Sequence, residues 1–275
     1  MSISRIKTIV IAALVLINGI FLSVIIIDAV ADIRSERAAI EDAAAILLSN
    51  GITINPDNIS SSGSFGTMRT ERVHEVEETI AAAVLGESEM TDLGVIFRYE
   101  SLESGVAEFN SSGGFEMQLN ENAIINTAGA LKTVEKLLDD MKIEISSITQ
   151  YSTTGYETVT AIVSYRGVEI FNCAIEFEFS GEQLKTISGR YVTVTRPLTD
   201  GVAITTPATA MLAVLGAVKN EVIEVTRIDS LESGYFFRTG PFGEGVLDPV
   251  WLVETDTGIY IMDVATGEIE AHVRG

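Results

Sequence analysis

The pattern of apolar and polar positions separates a long apolar segment near the amino terminus from a body of shorter, alternating elements. Residues Thr8–Ile27 carry no charge. A helix rises about 1.5 Å per residue, so this run would be roughly 30 Å long, the thickness of a bilayer's hydrocarbon layer. We therefore expect residues 1–27 to form an uncleaved transmembrane anchor with a short cytoplasmic tail. The alternative is a signal peptide cleaved at Ala29-Val30-Ala31, but the apolar run exceeds the roughly 7–15 residues of a signal core.

The basic residues that flank this run give no clear orientation by count. Arg5 and Lys7 precede it, and Arg34 and Arg37 follow within the distance over which flanking charges act. A long carboxy-terminal body translocates largely regardless of charge. We therefore expect a single-pass protein in the cell membrane, with a cytoplasmic amino terminus and an extracytoplasmic body. Asn18 lies in mid-span, where its amide either hydrogen-bonds a partner helix or bonds locally to backbone.

A helical pattern continues beyond the apolar run and predicts a juxtamembrane helix over residues 28–50. Ile33, Ile40 and Leu47 fall on one stripe of this helix. With Asn18, they are the candidate contacts for a partner helix. The alternative is that the stripe packs on the protein's own body. Residues 51–70, rich in serine and glycine, are predicted to be a linker.

The remainder contains a repeated block, which predicts duplicated units. Residues 98–105 read RYESLESG and residues 227–234 read RIDSLESG, about 130 residues apart. A second pair of similar segments, AAAVLG ending at Gly86 and LAVLG ending at Gly216, is separated by nearly the same distance along the chain. We expect three helix-and-sheet units, over residues 71–120, 121–200 and 201–275. The predicted fold class is α+β, an amino-terminal transmembrane helix followed by repeated units of a helix and an antiparallel sheet.

Alternation with period two locates the strands within these units. In the middle unit, Glu157–Tyr165 and Val168–Ser180 alternate on either side of a turn, which predicts a hairpin. The last unit is predicted to contain a second hairpin, formed by Pro249–Glu254 and Ile259–Val264. Thr206 is a predicted helix N-cap because Pro207 follows it.

Composition limits the chemistry open to this chain. The formal net charge is −21, with 39 acidic and 18 basic residues, which argues against nucleic-acid binding. One cysteine and two histidines offer little for a metal site or a histidine-based relay. We expect no cofactor, no bound metal and no enzymatic activity.

Three residues nevertheless invite a functional interpretation. Asp256, in Asp-Thr-Gly, is typical of aspartic proteases, but that chemistry needs two carboxylates, and a turn is the alternative. Cys173 is a candidate nucleophile with His74 as base, but its apolar neighbours favour a buried, inert thiol. Trp251 is a candidate interface residue, with core packing of the last hairpin as the alternative.

Two short regions resemble known families. The amino terminus resembles the start of the YycH/YycI regulatory proteins, YycI most closely, in Arg5-Ile6-Lys7-Thr8-Ile9, Leu16-Ile17-Asn18 and Phe21-Leu22. The final hairpin resembles the end of a PepSY-type module, in Val250-Trp251-Leu252-Val253, in Asp256 through Asp263 and in Thr266-Gly267-Glu268.

The resemblance to YycI implies a function by protein contact. Members of that family are membrane-anchored accessory proteins that restrain the WalK sensor histidine kinase, partly through the transmembrane helix. It therefore implies a non-catalytic, extracytoplasmic regulator whose partner is a sensor kinase or a paralogous regulator, in a homo- or hetero-oligomer. The PepSY resemblance implies an alternative, an extracytoplasmic inhibitor or chaperone of a secreted hydrolase. The repeated SLESG block and the very acidic body do not match the YycH/YycI family, which leaves the particular partner open.

Overall fold

The computed structural model describes most of the chain after the apolar segment. The described residues are 32–60, 64–121, 123–126, 128–198, 202–203, 206–240 and 244–272. They form two compact units. Unit 1 takes residues 32–60, 206–231 and 254–257, and unit 2 takes the rest of the described chain.

The described chain contains four α-helices and 17 strands. The helices are α1 (residues 32–49), α2 (His74–Leu85), α3 (Ala130–Met141) and α4 (Pro207–Lys219). The first strands are β1 (Thr53–Ile54), β2 (Ser64–Phe65), β3 (Met68–Thr70), β4 (Glu89–Asp92), β5 (Ile96–Ser101), β6 (Gly105–Asn110) and β7 (Gly114–Leu119). The next are β8 (Ile145–Thr153), β9 (Tyr156–Tyr165), β10 (Val168–Ser180), β11 (Gln183–Arg190), β12 (Val194–Pro197) and β13 (Val202–Ala203). The last are β14 (Arg227–Thr239), β15 (Gly245–Thr255), β16 (Ile259–Asp263) and β17 (Ile269–His272).

Unit 1 is built on α1 and α4. Ile40, Ala43 and Leu47 are the buried residues of α1, at the spacing of three and four that places them on one helix face. Helix α4 begins as predicted, because the Thr206 hydroxyl accepts a hydrogen bond from the Thr209 N–H and proline occupies the first turn. In the same unit, β1 pairs in parallel with the first residues of β14.

Unit 2 is built on a large mixed sheet. The main path of hydrogen-bonded strands runs β12-β3-β15-β14-β10-β11-β7-β6-β5-β4. The pair β8-β9 attaches to β10 through β9, and the pair β16-β17 attaches to β15 through β16. Most of the pairings between the described strands are antiparallel, whereas β10 meets β14 in parallel at Ile170 and Tyr235.

One face of this sheet packs against α2 and α3. Helix α2 contacts β5 and β6, and α3 contacts β9. Buried β10 side chains on this face are Cys173, Ile175, Phe177 and Phe179, at the predicted period of two. The predicted hairpin of β9 and β10 is confirmed, and so is that of β15 and β16.

The predicted fold class is wrong. Strands from all three predicted units join one sheet of 15 described strands, so the units are not separate helix-and-sheet modules. Even the predicted linker contributes, because β3 lies between β12 and β15. The physical reason is that a strand without a neighbour exposes unpaired peptide groups, and pairing with distant strands satisfies them. No helix within the described ranges is long and apolar enough to cross a bilayer, and the predicted anchor at Thr8–Ile27 lies outside them.

The repeated block does not have a repeated structure. Its first copy turns between β5 and β6, where Leu102 is 94% exposed and Gly105 has a φ of +133°. Its second copy lies within the continuous strand β14, where Leu231 is fully buried. The same letters therefore form a turn in one place and a buried strand in the other, because neighbouring strands decide the conformation.

Candidate functional site

A groove of about 810 Å³ opens in unit 2 and is the candidate functional site. One wall consists of side chains from β8 to β11, on the opposite side of these strands from the buried β10 residues. The other wall comes from β14, β15 and β17. We call this cavity the sheet groove. Its lining residues are Ser147, Thr149, Thr160, Ile162, Glu169, Phe171, Asn172, Ala174, Glu176, Ser188, Gly189, Arg190, Phe236, Leu252 and His272.

The sheet groove forms where β10 changes partner. The register between β9 and β10 shifts between Glu169 and Ala174, so residues 170–173 have no regular partner on β9. Within this stretch, Ile170 pairs with Tyr235 of β14 instead. Such a bulge bends a strand and increases its twist. Phe171 lies in this irregular stretch and is half-buried, although the alternation along β10 predicted that it shares the buried face with Cys173 and Ile175.

Asn172 holds the irregular part of β10 to β14. Its side-chain Nδ2 donates to the Phe237 carbonyl oxygen at 2.8 Å, and its Oδ1 accepts from the Phe237 N–H at 2.8 Å. The side-chain amide of Asn172 thereby takes the place of a backbone peptide group in the hydrogen bonding between β10 and β14. Ser146 donates to Glu169 Oε2 at 2.8 Å, which orients that carboxylate beside the groove.

The floor of the groove is fixed by tight packing around β11. The Arg190 guanidinium lies 4.4 Å from the Phe237 ring centroid and donates to the Ser112 carbonyl oxygen. At Gly189, a Cβ would collide with the Ala174 carbonyl oxygen, so no larger residue fits. On the other wall, Phe236 and His272 meet edge to face with centroids 5.5 Å apart.

These groups are suited to binding. The groove combines hydroxyl, amide and carboxylate groups on a rigid sheet with an apolar strip of Phe171, Phe236 and Leu252. A few placed polar groups against apolar surface are typical of recognition sites. No cluster of three or more histidine, cysteine or acidic side chains within the described ranges is arranged to hold a metal ion.

A second polar cluster lies in the core of unit 2, around Glu77 of α2. The Glu77 side chain is fully buried, and the Arg72 guanidinium contacts both its oxygens, at 2.6 and 3.1 Å. The Tyr191 hydroxyl donates to Glu77 Oε1 at 2.8 Å, and Arg72 also donates to the Phe109 carbonyl oxygen. Burial, with the nearby Glu77 carboxylate, raises the pKa of Tyr191, which therefore stays a hydrogen-bond donor. This cluster ties α2 to the sheet.

The predicted contact residues fall in different environments. Asn18 lies outside the described residues. Ile33 is 66% exposed on α1, whereas Ile40 and Leu47 of the same helix are buried. Trp251 belongs to unit 2, and its side chain is fully buried in the chain. Of these five residues, only Ile33 presents a side chain to solvent in the described chain.

The two catalytic interpretations meet opposing observations. Cys173 is fully buried, and burial raises its pKa to about 12, as for an inert structural thiol. Asp256 accepts hydrogen bonds from the Thr226 hydroxyl and from the backbone N–H groups of Thr226 and Arg227. These bonds lower the pKa of Asp256 and hold its carboxylate in the turn between β15 and β16, where an Asp side chain that accepts backbone hydrogen bonds is the alternative to a catalytic role.

The sequence did not reveal the sheet groove. Its uncharged polar residues on β8 to β11 are serines, threonines and an asparagine, without a motif or a fixed spacing. The sequence signal for this groove is the alternation of side chains along each strand, because the positions that point away from the core form one face of the sheet. Glu77 was missed because it stands among exposed acids on the same helix, and Glu75 and Glu78 predict a solvated surface.

Comparison with known proteins supports the fold alone. No protein-family profile matches the chain, and no curated protein matches it. The crystal structure of an uncharacterized protein from Eubacterium rectale is similar, with a TM-score of 0.53 and 10% identity over 81% of this chain and 90% of that chain. The Bacillus megaterium YpeB C-terminal domain has a TM-score of 0.34 and 13% identity over 74% of this chain and 99% of that domain, which is too low to establish a common fold. The resemblance to YycH/YycI proteins stays a prediction.

Proposed function

We propose that this chain is a non-catalytic regulatory protein that works by binding a protein partner in the sheet groove. The observation that carries the proposal is the groove itself, a preformed cavity of about 810 Å³ with polar groups and an apolar strip on a rigid sheet. The carboxylate that invited a catalytic interpretation is consistent with this, because Asp256 is engaged in internal hydrogen bonds.

The proposed location is the outer side of the cell membrane. The uncharged run Thr8–Ile27 supports an attachment to the bilayer, and a long body after such a run is commonly exported. In this proposal the partner is a membrane-bound sensor histidine kinase, as the likeness of residues 5–22 to YycI implies. A difference of a few kcal/mol in binding between two kinase states is enough to shift its activity.

The test fills the groove with one side chain and measures kinase activity. Ala174 lines the groove, so Ala174→Trp would occupy it. Ala82 is exposed on α2 of the same unit, so Ala82→Trp is the matched control. The full chain is incorporated into membranes with the sensor kinase encoded nearest to it, and kinase autophosphorylation is measured. We expect the unmodified chain and Ala82→Trp to change autophosphorylation and Ala174→Trp to leave it at the level of the kinase alone.

A second arm tests the amino-terminal segment. Residues 1–27 are replaced by an unrelated membrane anchor, and Asn18→Leu is made separately. We expect both changes to weaken regulation, because the segment is proposed to contact the kinase helices. Full regulation with the unrelated anchor would contradict that role. An unmodified chain without effect on the kinase, or Ala174→Trp with the full effect, would overturn the proposed function.

A further inference from the structure

The β8 edge of the sheet is long and uncharged, and its register with β9 shifts only at its start, between Ile145 and Ser147. Among the described strands, β8 pairs only with β9, so its other side is an edge. Its nine residues read ISSITQYST, without a charge or a proline. From Ser147 to Thr153 it keeps a regular register with β9. Natural proteins protect such edges with lysine, proline, bulges or short length, because a free edge readily accepts another strand.

The other edge strands of the described sheet carry this protection. Strand β4 has four residues and includes Glu89 and Asp92. Strand β12 ends in Arg196-Pro197. Strand β17 has four residues and includes Glu270. The long, uncharged edge of β8 is therefore the exception.

Alternate peptide groups of β8 face away from β9. A two-residue turn joins the strands, with Thr153 opposite Tyr156. In such hairpins the residues that flank the turn form a hydrogen-bonded pair, and the bonded pairs then alternate along the ladder. The peptide groups of Thr149 and Tyr151 thus point to β9, and those of Ile148, Gln150 and Ser152 point outward. The outward groups can receive a further strand.

The edge also borders the sheet groove and two exposed aromatic rings. Ser147 and Thr149 line the groove, and Tyr151 continues the same face at period two. On β9, Tyr156 lies on that face with Thr160. Tyr151 is 71% exposed and Tyr156 is 68% exposed. Exposed tyrosines are enriched in contact surfaces, because they bury large area with few rotatable bonds.

The charge around this edge selects its occupant. Strands β8, β9 and β10 contain no lysine or arginine, and their charged residues are all acidic, namely Glu157, Glu169, Glu176 and Glu178. A second copy of this chain would bring the same acids together, and the chain as a whole has a net charge of −21. Like charges across an interface oppose binding, whereas a cationic segment is attracted.

We propose that an extended, lysine- or arginine-rich segment of the partner adds to β8 as a further strand. Backbone hydrogen bonds to the outward peptide groups supply affinity, and the acidic side chains of β9 and β10 and the two tyrosines supply specificity. This inference rests on the proposed function, because it specifies how the partner is recognised beside the sheet groove.

The test uses synthetic peptides and the full 275-residue chain in mild detergent. The probe is a fluorescent peptide of about nine residues in which lysine and valine alternate. Its controls are the glutamate-valine peptide and a lysine-valine peptide N-methylated at alternate residues. We expect the lysine-valine peptide to bind at least about tenfold more tightly than either control, and more weakly as salt rises.

Variants of Gln150 identify the edge. Gln150→Pro removes an outward N–H, and we expect it to weaken peptide binding at least about tenfold. Gln150→Ala keeps the N–H, so its affinity should stay within about twofold. If Gln150→Pro loses its folded circular dichroism spectrum, Gln150→Lys replaces it, because a lysine at the edge keeps the backbone and repels a cationic strand.

The outcomes separate this inference from the proposed function. Equal binding of the N-methylated peptide, equal binding of the glutamate peptide, or a folded edge variant with unchanged affinity would overturn strand addition. Strand addition by a partner would also be overturned if the chain forms a dimer and Gln150→Pro or Gln150→Lys dissociates that dimer, because the edge would then be occupied by a second copy. If strand addition were overturned in this way and Ala174→Trp still abolished kinase regulation, the proposed function would be retained without strand addition. Peptide binding at β8 without any effect on a kinase would leave strand addition standing and reject the regulatory function.

Discussion

Replacement of Glu77 by glutamine should destabilise unit 2 strongly, although the two side chains have nearly the same shape. Glu77 is fully buried and its carboxylate contacts the Arg72 guanidinium at 2.6 Å. In Glu77→Gln, the Tyr191 hydroxyl can still donate to an amide oxygen. The Arg72 charge, however, loses its counter-ion in a site where its side chain is 14% exposed.

The magnitude follows from the cost of an uncompensated buried charge. Removal of one partner from a buried ion pair costs about 3–5 kcal/mol. Arg72 keeps a hydrogen bond to the Phe109 carbonyl oxygen and lies 3.8 Å from the Phe97 ring centroid, so part of its stabilisation survives. We therefore expect the free energy of unfolding to fall by about 3 kcal/mol, a large part of the roughly 5–15 kcal/mol typical of a domain.

The assay is urea unfolding followed by tryptophan fluorescence. Trp251 is the only tryptophan of the chain, belongs to unit 2 and is fully buried, so its emission changes when the structure around it unfolds. The matched control is Glu78→Gln, because Glu78 is the next residue of α2 and is exposed. Its effect should stay within about 0.5 kcal/mol. Equal midpoints for Glu77→Gln and Glu78→Gln, with unchanged slopes, would refute this account of the Glu77 cluster.

Three further predictions test other parts of the structure. Leu231→Ala should lower the free energy of unfolding by about 2–5 kcal/mol, because Leu231 is buried. Leu102→Ala, at the same place in the other copy of the block, should lower it by less than about 0.5 kcal/mol. Circular dichroism melts measure both variants, and similar losses of stability would contradict the different burial of the two leucines. At pH 8, Cys173 should react with a disulfide reagent about a thousandfold more slowly in the folded than in the urea-unfolded chain, and equal rates would show an accessible thiolate. The lowered pKa of Asp256 means that its carboxylate stabilises the fold above the ordinary pKa of about 3.9 and less as pH falls below it. The difference in urea midpoint between the unmodified chain and Asp256→Asn should therefore shrink below about pH 4, and a difference that grows there would contradict the assignment.

The sequence predicted those elements that depend on neighbouring residues. The hairpin of β9 and β10 follows from alternation on both sides of Arg166-Gly167, and both turn residues have positive φ. The start of α4 at Thr206 and Pro207 was likewise readable from a capping side chain and a proline. The burial of Cys173 followed from the period of β10.

Pairing between distant strands was beyond the sequence patterns. Nothing in Met68–Thr70 indicates that it pairs with β12 and β15, since a short strand acquires its neighbours only when the sheet assembles. The repeated block led to a wrong expectation for the same reason. Leu102 and Leu231 occupy the same place in the two copies of the block, but different strands lie beside them, and those strands determine whether the side chain is buried.

The candidate site depends on one such non-local event. The sheet groove exists because β10 leaves β9 and meets β14 at Ile170, a change of partner that alternation does not encode. The buried charge of Glu77 was hidden in the same way, because only the folded chain brings Arg72 and Tyr191 to it.

The most direct test of recognition at this site is amide hydrogen exchange, residue by residue, in the full chain with and without the lysine-valine peptide. We expect the amides of Ile148, Gln150 and Ser152 to become protected when the peptide binds, whereas those of Thr149 and Tyr151 are already protected by β9. Protection that appears on β4 instead, or none on β8 at saturating peptide, would contradict it.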